Sequence, residues 1–336
     1  MTGSDSQIGI DGSSTTESSE GNTHMTATAL TIGEAMASIR TAAPLELGGA
    51  AHLSIAGSET NVAIGLSRLG HEVSWVGVVG AEQPGNLIRR TLRAEGVGTR
   101  FVRTSEADFT GFIAFDQPAH DLTRVSYHRA GSAGSTLTAA ECVAAVNAAA
   151  PRLLHLTGIT PALSSTAREA TLAAARAAHR AGVRVTLDVN YRARLWSRPA
   201  AAAALRELVP YVHTVFASED ELDLLSSASN PGEMLLADGV AEVVVTAGAK
   251  GAHCLTPDGR LHQPALDVTA VDSVGAGDAF VAGYLSGALE RLPVADRLRR
   301  AATAGAFCVG TRGDWEGLPY RSDLALLSHG GGAALR

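Results

Sequence analysis

The sequence predicts an α/β protein with a mostly parallel central sheet and helices on both faces. Three observations predict it. Short runs rich in Val, Ile and Leu alternate with Ala- and Leu-rich stretches of helical period, glycines stand where helices should close, and only two stretches break the rhythm. The 336 residues are 46% hydrophobic, enough for one large domain or two modest ones.

Residues 1–27 are dominated by Ser, Thr, Gly and Glu, the composition of a disordered extension. Ala29-Leu30-Thr31-Ile32-Gly33 predicts a first strand. A helix follows from about Glu59 to Leu69, with Val62, Leu66 and Leu69 on one face and Gly70 closing it, and then a buried strand from Val73 to Val79. Further strands are predicted at Leu153–Leu156, Val183–Leu187, Thr214–Phe216 and Glu242–Thr246. An alanine-rich helix runs to Ala181, and a short helix covers Glu219–Leu225. Ala35–Leu53 and Thr110–Tyr127 look like β-segments with no helix between them, suited to a small lid or an oligomer contact. The expected division is therefore an extension over 1–27, a main domain over 28–325 with lid segments near 35–53 and 100–128, and a flexible tail over 326–336.

A formal net charge of −7 argues against a nucleic-acid-binding surface. No apolar run approaches the roughly 20 residues of a membrane span, and the first residues lack a signal-peptide layout. Three scattered cysteines make no disulfide framework, and the eleven histidines include no close-spaced ligand pair. A cytoplasmic enzyme without a dedicated metal centre is the expectation.

Chemistry is concentrated in Asp272-Ser273-Val274-Gly275-Ala276-Gly277-Asp278-Ala279-Phe280, ahead of a helix read over Val281–Leu289. Small residues at a helix mouth let backbone N–H groups approach an anion, and the helix dipole favours it there. Asp278 beside such a site is placed to take a proton from an attacking hydroxyl. Alone, the same residues describe a helix cap and a tight turn, which is the commoner case. Phe280 at the third glycine position excludes the dinucleotide fingerprint, and no Gly-x4-Gly-Lys-Ser/Thr loop occurs.

Asp272–Asp278 resembles the C-terminal signature of the PfkB family, the ribokinase-like carbohydrate kinases. Gly57-Ser58-Glu59-Thr60-Asn61-Val62-Ala63 resembles its N-terminal signature, and Gly80-Ala81-Glu82-Gln83-Pro84-Gly85 a third motif in which Glu82 replaces aspartate. The resemblance implies a ribokinase-like three-layer α/β/α fold with a β-lid, and ATP-dependent phosphorylation of a sugar. By the same resemblance Asp278 is the catalytic base, while Gly275, Ala276 and Gly277 hold the moving phosphoryl group. Asn190, Ser218, Thr246, Gly248 and Gly251 then serve the nucleotide, and Glu221 organises Mg²⁺ through water. A monovalent cation such as K⁺ near Asp272 and a homo-oligomer formed through the lid also accompany the family.

Asp188-Val189-Asn190-Tyr191-Arg192 and Tyr127-His128-Arg129-Ala130-Gly131 resemble segments of 2-keto-3-deoxygluconate kinases, which implies a sugar site built from Gly57, Asn61, Tyr127, Arg129 and Arg192. Two converging guanidinium groups would favour an acid sugar. Each arginine has the alternative of pairing with an acidic side chain of the protein itself. A neutral-sugar kinase resembling fructokinase or ribokinase, and a sensor that kept the fold without catalysis, remain as rival expectations.

Overall fold

A computed structural model describes residues 28–119 and 122–329; the extension expected over 1–27 lies outside the described residues. The strands are β1 (Ala29–Ile32), β2 (Met36–Thr41), β3 (Ala51–Ala56), β4 (Val73–Gly80), β5 (Val102–Ser105), β6 (Phe112–Ala119) and β7 (Leu122–His128). After these come β8 (Leu153–Thr157), β9 (Arg184–Asp188), β10 (Thr214–Ser218), β11 (Glu242–Thr246), β12 (Ala252–Thr256) and β13 (Gly259–Gln263). Nine of them form one sheet in the order β13-β12-β11-β10-β9-β8-β1-β4-β5. It is parallel from β5 to β11, and β12 and β13 extend it as an antiparallel edge.

Successive side chains of a strand point to opposite faces, so each buried strand feeds two cores. Leu30, Val76 and Val78 join one cluster; Ala29, Val73 and Trp75 join the other. The helix Ser165–Arg180 packs against the first cluster with an alanine surface that includes Ala170, Ala174 and Ala178, and Ser164 caps it by accepting from Ala167 N–H at 3.0 Å. The helices Ser58–Arg68 and Ala276–Leu289 cover the other face and pack on each other. The result is the three-layer α/β/α architecture expected from the alternation.

The chain leaves β1 towards β4 and β5 on one side and returns to β8 through β11 on the other. The carboxyl ends of β1 and β8 therefore diverge, which opens a crevice at the place where open α/β sheets bind ligands. Four strands form a second sheet, β3-β2-β6-β7, whose buried cluster is Met36, Ala56, Ile113 and Phe115. It stands over that crevice.

Several details differ from the sequence reading. Val102–Ser105, inside the expected lid segment, pairs with β4 in the main sheet, because the helix Gln83–Ala94 carries the chain back parallel to β4. The helix expected over Glu219–Leu225 spans only Leu222–Leu225, while that expected at Val281 begins at Ala276. The β12–β13 hairpin was not foreseen, although Asp258-Gly259 is a turn signal that marks it. A 3₁₀ helix, Arg321–His329, runs past the expected start of the tail at 326.

Candidate active site

The helix Ala276–Leu289 is apolar around its whole circumference from Ala279 onward and is buried along that length. Its first turn faces the crevice. Gly275 precedes it at φ +76°, and a Cβ there would run into the carbonyl oxygen of Asp314, so glycine is required. Apart from its chain neighbours and its own helix backbone, Gly277 has no protein atom within 4 Å of where its Cβ would stand, which leaves the helix mouth open.

Asp278, in that first turn, is 9% exposed. Its oxygens do not cap its own helix. Oδ1 accepts from Ser58 Oγ at 2.6 Å and Oδ2 from Asn61 Nδ2 at 2.8 Å. Both donors sit in the first turn of the helix Ser58–Arg68, whose start requires Gly57 at φ +153° because a Cβ would strike the Glu34 carbonyl. Asn190, beyond β9, donates its Nδ2 to Ser58 Oγ at 2.9 Å and to Asp188 Oδ2 at 3.1 Å. It holds φ +42°, a left-handed conformation that asparagine tolerates better than most residues. Three crevice segments thus meet in one hydrogen-bonded chain ending on the Asp278 carboxylate.

Burial raises the pKa of Asp278, opposed by the hydrogen bonds from Ser58 and Asn61 and by the nearby Arg192 charge. Asp188 is pushed well above the usual carboxylate range by burial, then by the negative charges of Glu221 and Asp278. Glu59, wholly buried behind Asp278, is lifted to about 7 by burial, although the Thr157 and Thr160 hydroxyls donate to it at 2.6 Å each.

A cleft of about 510 Å³ gathers Gly57, Asn61, Tyr127, Arg129, Asn190, Arg192, Ser218, Glu221, Thr246, Gly275, Gly277 and Asp278. Ala276, Gly248 and Gly251 are not on its wall. Gly248 (φ +55°) and Gly251 (φ +96°) shape the turn between β11 and β12. Ser58, Glu34, Asp188 and Asp314 also line the cleft but were not singled out as site residues from sequence. Ser58 and Asp188 lie inside the motifs given above, and Asp314 lies in Gly313-Asp314-Trp315-Glu316-Gly317-Leu318-Pro319, which also resembles the 2-keto-3-deoxygluconate kinases; Glu34 carries no local signal.

The two arginines differ. Arg192 is exposed at the cleft edge, and its hydrogen bond is to the Tyr191 carbonyl at 3.3 Å; among the described residues it makes no ion pair. Arg129 is buried and ion-paired through Nη2 with Glu34, which also accepts from Ser132 Oγ at 2.6 Å. The alternative of an internal acidic partner therefore holds for Arg129, although its buried Nε has no partner. A second cavity of about 730 Å³ adjoins the cleft and is walled by Tyr127, Arg129, Tyr191, Arg192 and Arg194.

Glu221 accepts from Tyr191 N–H at 2.7 Å and from Ser218 N–H at 2.9 Å, which ties the loops after β9 and β10 together. Among the described residues, no group of His, Cys, Asp and Glu is arranged to hold a metal directly. Asp272, where the resemblance implied a monovalent cation, accepts from Arg40 Nη1 at 2.9 Å. No described helix is long and apolar enough to cross a membrane.

Comparison with known proteins agrees with this geometry. Residues 27–321 match the pfkB family carbohydrate kinase model. The chain is 35% identical over 309 residues to a 2-dehydro-3-deoxygluconokinase of Bacillus subtilis, covering 88% of this chain and 94% of that protein. It is 32% identical over 285 residues to a fructokinase of Klebsiella pneumoniae, covering 80% and 90%. The crystal structure of a fructokinase with bound ATP from Xylella fastidiosa superposes with a TM-score of 0.80 at 25% identity, covering 90% of this chain and 98% of that one. With the ribokinase-like fold, the ordered motifs and the match over nearly all of its described length, this chain belongs to the pfkB family of carbohydrate kinases.

Proposed function

We propose that the protein transfers the γ-phosphoryl group of ATP to a hydroxyl of a sugar acid, 2-keto-3-deoxygluconate (2-dehydro-3-deoxygluconate). The observation that carries this reading is the Asp278 carboxylate, oriented by Ser58 and Asn61 at the open mouth of a helix, with the free Arg192 guanidinium at the edge of the same cleft.

In the proposed reaction Asp278 takes the proton of the sugar hydroxyl as its oxygen bonds to the γ-phosphorus, and the bond to the β–γ bridging oxygen breaks to release ADP. A base whose pKa is lifted towards neutrality is better matched to this task than an ordinary aspartate. The N–H groups of the Gly275–Gly277 turn and the helix dipole receive the charge of the moving phosphoryl group. Mg²⁺, when bound with the nucleotide, would neutralise phosphate charge; Glu221 would meet its water shell. Asn190, Ser218 and Thr246, which line the cleft, are assigned to the nucleotide in this reading, together with Gly248 and Gly251 of the turn after β11. Gly57, Asn61 and Tyr127, which line the same cleft, are assigned to the sugar. Arg192 supplies the charge that pairs with the sugar carboxylate, and the unpartnered Arg129 Nε is left to donate to the same ligand.

A cytoplasmic setting and a homo-oligomer formed through the second sheet go with this reading. Leu53 and Leu122 of that sheet are 64% and 57% exposed, a surface that a second copy would cover. K⁺ near Asp272 would compete with Arg40, so the reading includes no requirement for added K⁺.

A neutral sugar is the second reading, favoured by the fructokinase relative. ADP release with Mg-ATP separates the two, using 2-keto-3-deoxygluconate, 2-keto-3-deoxygalactonate, fructose and ribose. Turnover highest with an acid sugar supports the proposal. Turnover confined to fructose or ribose removes the role given to Arg192 and leaves that of Asp278.

A further inference from the structure

Arg40 lies on β2, in the second sheet, yet its guanidinium leaves that sheet to bridge two carboxylates of the main domain. Nη1 donates to Asp272 Oδ2 at 2.9 Å, and Nη2 pairs with Asp314 Oδ1. The guanidinium carbon lies 3.8 Å from the ring centre of Phe115 on β6, the neighbouring strand of the same sheet. All three charged side chains are largely buried, at 12% exposure for Arg40, 16% for Asp272 and 7% for Asp314.

Both carboxylates belong to the walls of the phosphate-side turn. Asp272 Oδ1 accepts from Val274 N–H at 3.1 Å, which folds the residues just before Gly275. The Asp314 carbonyl packs against the Gly275 α-carbon so closely that no side chain fits there. Among the described residues, Arg40 is the only cation paired with either carboxylate. Without it two buried negative charges would face each other across the turn with no counter-charge, a costly arrangement in a low-dielectric setting. Met36, on the same strand as Arg40, lines the cleft, and Glu34 lies just before the strand on the same wall. A displacement of β2 at the sugar end is therefore passed to the turn.

We infer that Arg40 is a positioning residue that couples the second sheet to the Gly275–Gly277 turn, so that the turn holds its working shape only while the sheet is seated over the cleft. This rests on the reading of that turn as the phosphoryl cradle. Arg40 is not on the wall of the main cleft, so it acts through Asp272 and Asp314 rather than on substrate.

The test is steady-state kinetics of Arg40→Met, Arg40→Lys and Arg40→Ala with Mg-ATP and the best sugar of the panel, beside Asp278→Asn and Arg124→Met. Arg124→Met breaks the Arg124–Asp116 pair inside the second sheet without removing a partner of Asp272 or Asp314, and controls for general loosening of that sheet. Misplacing reacting groups by about 1 Å can cost about a hundredfold, so kcat of Arg40→Met is expected to fall about tenfold or more with the sugar KM little changed. Arg40→Lys should recover part of the loss, and millimolar guanidinium should raise turnover of Arg40→Ala but not of the unaltered protein. An unchanged kcat in Arg40→Met overturns the inference. So does an equal loss in Arg124→Met, or a loss that neither lysine nor guanidinium repairs. If Asp278→Asn keeps its turnover, the cradle reading fails and the coupling falls with it; if only Arg40→Met keeps it, the coupling alone fails.

Discussion

Under the proposed function, two sets of groups in the cleft are built on opposite plans. At the phosphoryl end every oxygen of Asp278 is taken by a protein donor, and those donors are fixed in turn by Gly57 and Asn190. At the sugar end Arg192 is exposed and, among the described residues, has no ionic partner, and Arg129 keeps one buried donor unfilled. A group that must meet every substrate in one geometry is locked before the substrate arrives. The arginines proposed to discriminate among sugars are left with bonding capacity for a ligand to fill. The difference explains why the reaction class can be read from this chain more firmly than the sugar.

The strongest way to break the comparison is Asp278→Asn. It keeps the shape and an acceptor oxygen but not the base, so turnover should fall about a thousandfold while the thermal midpoint stays near that of the unaltered protein. Rates and melting curves measured together check this, and a near-normal rate would remove the base assignment.

At the other end the arginines should separate. Arg192→Ala should raise KM for an acid sugar about tenfold or more, the value of one charge-assisted contact, and leave KM for a neutral sugar unchanged. Arg129→Ala strands Glu34, which is buried, and should cost about 3–5 kcal/mol of stability by denaturant titration. Equal kinetic effects and equal stabilities for the two variants would erase the distinction between locked and open groups.

A smaller effect is expected from Ser58→Ala. The Ser58 hydroxyl lowers the Asp278 pKa, so its loss should move the acid limb of the kcat profile to higher pH, because a base works only when deprotonated. A limb that stays in place would show that this hydrogen bond does not tune the base.

The smallest effect lies behind the site. Glu59 binds its proton up to about 7 in the folded chain against an ordinary value of 4.5, so the folded state holds a proton that the unfolded chain releases between them. Its contribution to stability is complete below 4.5 and is lost as pH rises through about 7. Glu59→Gln should flatten that decline in melting experiments across this window, and an unchanged slope would assign it to another group.

What was legible in the sequence was local. Gly275, Gly277 and Asp278 sit within four residues, and the spacing alone brings a carboxylate and a helix N-terminus together. The alternation of strands and helices gave the layers because burial on both faces demands continuous apolar runs. Asp278 with Ser58 is a contact across 220 positions, and Glu34 with Arg129 one across 95. No periodicity encodes such pairs; they follow from the order of strands in the sheet. Arg129 illustrates the cost, since its motif suggested a carboxylate partner and the structure supplies one from the protein itself.

The distance between Ser58 and Asp278 along the chain has a further consequence during synthesis. A ribosome delivers the serine and asparagine early and the aspartate near the end, so an unfinished polypeptide lacks the buried carboxylate and the glycine turn altogether. The hydrogen-bonded cluster of Ser58, Asn61 and Asp278 therefore closes only when the first and last parts of the polypeptide have docked.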